Sequence, residues 1–383
     1  MTVVLDARVC TEHFPGIGRY ASALARCFPE IAPDLDLTLL EYDGPGRREV
    51  HAPRVPRIYS GASPFSLKQQ WEVPRLLRAC RAALYHSTYY LMPYRPPAPT
   101  VVTLHDFIPY LFPQYYSRAR RAAIHAATNL AIRRADAIIA ISQTTRSDLC
   151  RILGVKPERV RVTPLAADPF FAPASPEEIL DLRRRYQLPE QYVLYVGSNK
   201  PHKNLVSLIE AFALLAREPA RGDLRLLIVG TWDPRYPEAR ARVSELGLES
   251  RVRLASGASD ELLRAHYVAA SVFVMPSMYE GYGSPLMEAM ASGAPSVCGP
   301  ALAETAGDAA TIVEVNDADE VARTLARILD SPELRNGMRE RGIAHARQFS
   351  YARTARETLD IYRQLVGESA LLRHPLVEGQ TIP

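Results

Sequence analysis

Short apolar or β-branched runs recur along this chain in two series, with helically patterned stretches between them. The first series falls at residues 3–5, 37–40, 83–85, 101–104, 137–141 and 160–163. The second falls at 192–196, 224–229, 252–254, 272–275, 296–298 and 311–313. Strands that alternate with helices pair in parallel and are covered on both faces, so they read as continuous apolar runs. The pattern predicts an α/β chain with two Rossmann-like, doubly wound domains. A length of 383 residues exceeds one ordinary core and suits two. The expected boundaries are 1–170 and 171–350, followed by a helix and tail over 351–383. The proline-rich stretch 164–189, with a charged helix at 177–186, reads as the linker. Ligands of such sheets bind beyond the carboxyl ends of the strands. Two facing sheets would therefore line an interdomain cleft.

Composition narrows the class. Hydrophobic content of 47% and charged content of 23% suit a soluble globular enzyme rather than a disordered or fibrous chain. The first residues lack a basic segment followed by an apolar one, so they do not read as a signal peptide. No stretch approaches the roughly 20 apolar residues that span a bilayer. Cys10, Cys27, Cys80, Cys150 and Cys298 are scattered, odd in number and form no C-x-x-C, which points to reduced thiols and a cytoplasmic location. Residues 1–170 carry 22 Lys/Arg against 14 Asp/Glu, and the remainder carries 24 against 28. A basic first half suits an anionic acceptor or peripheral contact with a lipid surface. Its densest stretch, with Arg118, Arg120, Arg121, Arg133 and Arg134, reads as a basic helix whose default role is a solvated face.

Four motifs sit where strands end. In the first, Glu280 and Glu288 flank a Gly-rich loop and a helix start. An apolar strand at 271–275 precedes them, and 285–292 reads as a helix with Ser284 as N-cap, Pro285 at its first turn and Gly293 at its end. Unpaired N–H groups at such a junction suit an anion. A capping role for Glu288 would need Glu or Gln at 287, which is Met287, so that reading fails on spacing. A solvated helix glutamate stays open on this segment alone.

The second motif is Gly197-Ser198-Asn199-Lys200-Pro201-His202-Lys203-Asn204, with Asn204 expected to cap a helix bearing Leu205, Leu208, Ile209, Phe212 and Leu215. Lys200 and Lys203 are two of only four lysines in a chain with 42 arginines. Compact point charges at a helix start suit a diphosphate. No Walker A pattern is present. The third is the strand end His105-Asp106, where the histidine could hydrogen-bond a hydroxyl or phosphoryl oxygen or shuttle a proton. Asp106 could equally close a turn on its own backbone. No metal-ligand pattern such as H-E-x-x-H occurs. The fourth, Gly16-Ile17-Gly18-Arg19-Tyr20-Ala21, fits G-x-G-x-x-A and raises an NAD(P)-dependent oxidoreductase. That fingerprint needs its first glycine directly after the strand, and here the strand ends near Asp6.

These motifs, in this order, resemble glycosyltransferase family 4, retaining enzymes of the GT-B fold that use nucleotide sugars. The run Ala140-Ile141-Ser142-Gln143-Thr144-Thr145 also fits the family, as does the final helix, which in such enzymes crosses back onto the N-terminal domain. The resemblance implies an acceptor-binding first domain and a nucleotide-sugar-binding second one. It implies that Glu288 accepts hydrogen bonds from the nucleotide ribose, and that Glu280 engages the transferred sugar. Lys203 would neutralise the donor diphosphate, and amides of Gly283, Ser284 and Leu286, beside Gly281, Tyr282 and Pro285, would touch sugar or phosphate. His105 would sit near the reacting centre, and Gly16 and Gly18 would let the first loop close over the donor. Relatives with this loop carry Arg where His202 stands, and others carry Arg where Ser198 stands; either the phosphate clamp is weaker here or Lys200 supplies the second charge, the reading favoured.

The expected reaction is hexosyl transfer, with a mannosyl group from GDP-mannose the first choice because these motifs resemble bacterial mannosyltransferase-like members. UDP- or dTDP-sugar donors, a small-molecule acceptor and a GT-B-type epimerase are the alternatives. The expected partners are a nucleotide sugar and a glycan or lipid-linked acceptor, with no nucleic acid, no metal and no cofactor.

Overall fold

The computed structural model describes residues 2–367 and 370–372. The chain forms two compact units, Met1–Leu165 with Tyr351–Pro383, and Ala166–Ser350. The first unit carries β1 (Thr2–Asp6), β2 (Leu37–Tyr42), β3 (Arg57–Ser60), β4 (Ala82–Ser87), β5 (Thr100–Leu104), β6 (Ala137–Ala140) and β7 (Val160–Val162). They form a parallel sheet in the order β3-β2-β1-β4-β5-β6-β7. The second carries β8 (Tyr192–Val196), β9 (Arg225–Val229), β10 (Val252–Ala255), β11 (Val272–Met275), β12 (Ser296–Cys298) and β13 (Thr311–Ile312). Its order is β10-β9-β8-β11-β12-β13, again parallel throughout.

In each sheet the strand order reverses beside the first strand, between β1 and β4 and between β8 and β11. The crossovers on either side of that point run to opposite faces, which opens a crevice at the carboxyl ends of the two strands. Burial explains the apolar runs, since every residue of β1 and of β8 is buried. Helix Leu205–Ala216 lays Leu208, Ile209, Phe212 and Leu215 into the same core as Val193 and Tyr195. Each such side chain contributes about 1.5–3 kcal/mol of transfer free energy.

One strand escapes sequence reading. β3 holds Arg57, Ile58, Tyr59 and Ser60 at the sheet edge, and only Ser60 is buried. An edge strand has one covered side, so it lacks the apolar run that marks the others.

Three local expectations are corrected. The boundary expected at 170/171 falls at 165/166, and the expected linker belongs mostly to the second unit. Its helix, Pro176–Tyr186, is held to helix Asp260–Ala269 by an ion pair between Arg264 and Glu178 at 2.7 Å and by Arg183 donating to the Ala269 carbonyl. Ser284 is not an N-cap. It is the first residue of helix Ser284–Ala291, and Gly283 precedes it in the left-handed region at φ +88° with no side-chain cap. Asn204 occupies the cap position but does not cap, because its amide donates to the Val315 carbonyl at 3.0 Å.

Helix Tyr351–Val366 packs on helix Pro15–Ile31 within the first unit, where the Tyr362 and Phe28 rings lie 5.7 Å apart. The expected tail beyond residue 372 lies outside the described residues. Among the described residues, no helix is long and apolar enough to cross a membrane.

Candidate active site

At the β8/β11 reversal two loops are stitched together. The loop after β8 presents Lys203, and the loop after β11 presents Glu280. Their side chains pair at 2.6 Å, and the Ser277 hydroxyl donates to the same carboxylate oxygen at 2.7 Å. A backbone bond from Met278 N–H to the His202 carbonyl, 2.8 Å, fixes the register of one loop against the other. Asn199 locks the first loop to a third. Its amide donates to the Asp233 and Tyr236 carbonyls, and its oxygen accepts the Asp233 N–H.

The approach of the strand ends is close. Gly197 donates its N–H to the Val229 carbonyl at 2.9 Å, and a Cβ on Gly230 would run into the Gly197 carbonyl. Gly283 is equally constrained, because its φ favours glycine and a Cβ there would strike Leu302.

The charge of this loop comes from its lysines. His202 is fully buried, and burial, with the charges of Lys203 and Lys200 beside it, holds its pKa down to about 2. It is neutral at physiological pH and supplies no cation in place of Arg. Lys200 is half-buried in the same loop, and the Ser198 carbonyl is taken by the Tyr195 hydroxyl at 2.7 Å. Burial keeps that phenol protonated.

The helix start is less generous than the sequence suggests. Leu286 N–H already donates to the Gly283 carbonyl at 2.9 Å, and Pro285 has none. The Gly283 and Ser284 N–H groups donate to no backbone carbonyl among the described residues. Gly281 and Tyr282 are buried beside them, and the Thr305 hydroxyl donates to the Tyr282 carbonyl. Glu288 is buried in the second turn, and the Tyr267 hydroxyl donates to its Oε2 at 3.1 Å. The two glutamates therefore have separate partners, Lys203 for one and Tyr267 for the other.

In the first unit His105 follows β5. It is buried, its Nε2 donates to the Thr88 carbonyl at 3.0 Å, and its ring meets Tyr20 edge-on at 5.4 Å. Burial lowers its pKa to about 4, against a smaller opposing pull from the Thr88 carbonyl. The proton is held on Nε2, which leaves Nδ1 as an acceptor. Asp106 is exposed and accepts the Ile108 N–H at 3.1 Å, which is a turn closed on its own backbone. Gly16 and Gly18 lie in the first turn of helix Pro15–Ile31 rather than in a loop, with neither at positive φ. Gly18 serves packing, since a Cβ there would come within 3.3 Å of Cys10 Cα.

Sequence reading missed four features at the strand ends, three beside the site and one structural. Asn199 and Tyr267 act through partners distant in the chain, and Ser277 through Glu280 three residues on. The fourth is the Asp6–Arg8 pair at the β1/β4 reversal. Arg8 donates to Asp6 at 2.7 Å and to Gln69 at 3.1 Å, and the Tyr85 hydroxyl donates to the same carboxylate at 2.5 Å. An aspartate ending the first strand was the available signal. Among the described residues, no cluster of three or more His, Cys, Asp or Glu could hold a metal ion.

Comparison with known proteins places these features in a family. Residues 15–169 match the model described as Glycosyltransferase Family 4, and residues 181–345 match Glycosyl transferases group 1. The O-antigen chain mannosyltransferase B of Escherichia coli is 32% identical over 304 residues, covering 78% of this chain and 77% of that protein. An MMP alpha-(1->4)-mannosyltransferase of Mycolicibacterium hassiacum is 30% identical over 240 residues, covering 61% and 55%. Anabaena HepE, solved in complex with UDP and glucose, superposes with a TM-score of 0.75 at 19% identity, over 95% of this chain and all of that one. Sucrose-phosphate synthase from Thermosynechococcus elongatus gives 0.74 at 22% identity, over 95% and 99%. The chain belongs to glycosyltransferase family 4 and is a hexosyltransferase with the GT-B fold.

Proposed function

We propose that this enzyme transfers a mannosyl group from GDP-mannose to a hydroxyl of a glycan or lipid-linked acceptor in cell-surface polysaccharide synthesis, with retention at the anomeric carbon. The observation that carries the reading is the Lys203–Glu280 pair at the β8/β11 reversal. A diphosphate brings more negative charge than one carboxylate, so it competes for Lys203. Glu280, still held by Ser277, then turns to accept hydrogen bonds from sugar hydroxyls. Lys203, Lys200 and the N–H groups of Gly283 and Ser284 stabilise the leaving diphosphate as its charge grows, an oxyanion-type effect. These fixed charges do the work of a divalent cation, so the reaction runs without one. Glu288, oriented by Tyr267, takes the ribose.

His105 fits a holding role. A base with a pKa of about 4 accepts a hydrogen bond from an acceptor hydroxyl through Nδ1 but is too weak to remove its proton. The departing phosphate is the better base, which favours attack from the face it leaves. The donor choice draws on the relatives named as mannosyltransferases. The HepE complex favours a UDP-sugar as second reading.

A thermal-shift panel of nucleotide sugars, followed by product analysis, tests the proposal. GDP-mannose should stabilise the protein most, as donor binding acts by mass action. EDTA should leave transfer intact. A larger shift with a UDP-sugar would replace the donor, a need for added Mg2+ would overturn the metal-free step, and an inverted product would overturn retention.

A further inference from the structure

The second unit also has a cavity at the other end of its sheet. With a volume of about 520 Å³, it opens at the amino ends of β8, β11 and β12, lined by Gln191, Ser271 and Pro295 just before those strands. Three arginines enter it. Arg183 comes from helix Pro176–Tyr186, while Arg335 and Arg339 lie one turn apart on helix Pro332–Ala346 and so share a face.

These guanidinium groups are held in place but not neutralised. Arg183 donates to the Pro189 and Ala269 carbonyls, and Arg335 donates to the Ile328 and Leu329 carbonyls. Arg339 has a buried Nη2 with no acceptor. Among the described residues, none of the three forms an ion pair with a carboxylate. The lining includes one acid, the exposed Glu190, so three positive charges face one negative. Native proteins rarely leave a buried guanidinium nitrogen unsatisfied, because it forfeits its hydration without compensation. Val268, Leu329 and Leu180 add an apolar wall beside the charges.

We propose that this cavity binds an organic phosphate, a small molecule whose phosphate group is gripped by Arg339, Arg335 and Arg183 and whose apolar part rests on Val268 and Leu329. The volume suits a small molecule, and planar guanidinium forks match phosphate oxygens two at a time. The site is separate from the donor loops, which lie at the carboxyl ends of the same strands. It has a structural link to them, because Gly293, which lines the cavity, follows the helix that carries Glu288.

Calorimetric titration of the full chain with phenyl phosphate and with inorganic phosphate tests this, using Lys203→Ala to remove the donor-loop cation. Phenyl phosphate should bind more tightly than inorganic phosphate and should keep its affinity in Lys203→Ala. Arg339→Gln should weaken it by about tenfold or more, the scale of one charge-assisted hydrogen bond. Arg339→Lys, which retains stem and charge, gives a second variant should the first not fold, and should weaken binding by losing the fork. Absence of saturable binding to the wild type would overturn the proposal. So would binding that Lys203→Ala abolishes and both Arg339 variants keep. Binding of an oligoglutamate peptide without any binding of phenyl phosphate would overturn it in favour of a protein-docking surface.

Discussion

Both units reverse their strand order beside their first strand, and both place a carboxylate with a cation there, yet the two pairs are built for different ends. Arg8 and Asp6 are 1% and 4% exposed; Arg8 also donates to Gln69 and the Ala62 carbonyl, and the Tyr85 hydroxyl donates to Asp6. Lys203 and Glu280 are 14% and 10% exposed, and among the described residues Ser277 is the one further side chain that bonds that carboxylate. A sealed pair cannot exchange partners without exposing a bare charge, so it serves the fold. A pair that water reaches can trade one anion for another. Equivalent topology thus yields a sealed pair in one unit and a partly accessible pair in the other, on which the proposed donor exchange rests.

The largest expected effect breaks the sealed pair. Arg8→Ala leaves the Asp6 carboxylate buried without its cation and should cost about 3–5 kcal/mol of stability. Denaturant unfolding measures it, and a loss below about 1 kcal/mol would mean that the pair is not the lock described here. Lys203→Ala should do the opposite. It should cost less stability, about 1–3 kcal/mol for a carboxylate left with a single hydrogen bond, while lowering kcat/KM by about 10²–10³-fold through lost leaving-group stabilisation. Comparable stability losses in the two variants would erase the contrast between the sites.

The pH dependence of folding sharpens the comparison, because each unit buries neutral histidines near its reversal. Burial lowers His86 to about 3 and His105 to about 4 in the first unit, and His202 to about 2 and His266 to about 4 in the second. The ordinary value is near 6.5. Between that value and the folded pKa, the unfolded chain binds more protons than the native one, so stability rises with pH. It is fully present above about 6.5 and falls as pH drops toward 4. His202→Gln should reduce the slope in that window by up to one proton, about 1.4 kcal/mol per pH unit. Unfolding curves collected from pH 4 to 7 measure this, and an unchanged slope would show that His202 is not buried as a neutral ring.

Much of the fold was legible in the sequence, and so were some residues that the structure gathers at the candidate site; the divide has a physical cause. Strands buried on both faces declare themselves as apolar runs, whereas β3, covered on one side, did not. Lys203, Glu280 and His105 stand in segments that follow strands, and Glu288 on the helix that the second such loop opens, where glycines and prolines mark the strand ends. Their partners are invisible locally. Tyr267 lies on the preceding helix, and the His202 ring sits between two lysines in sequence yet is sealed beneath the loop that Met278 anchors. The Asp6–Arg8 lock needs Gln69, Ala62 and Tyr85 from three other segments, which no spacing rule connects. Cap positions failed for the same reason. Asn204 has the right residue type, but the Val315 carbonyl competes for its side chain and wins.

The smallest expected effect tests whether the two reversals share one device. Each has a tyrosine hydroxyl donating to a carboxylate, Tyr85 to Asp6 at 2.5 Å and Tyr267 to Glu288 at 3.1 Å. Removing either hydroxyl leaves the ring, so packing is retained and the hydrogen bond alone is lost. Tyr267→Phe should cost about 0.5–1.5 kcal/mol of stability, the net worth of one hydrogen bond. It should also raise KM for the donor severalfold with little change in kcat, because Glu288 loses orientation at a group that does not react. Tyr85→Phe should cost more stability, about 1–3 kcal/mol, because it strips a donor from a fully enclosed carboxylate, and should leave donor KM alone. If Tyr85→Phe shifts donor KM as much as Tyr267→Phe does, the first reversal takes part in donor binding and the division between lock and ligand site fails.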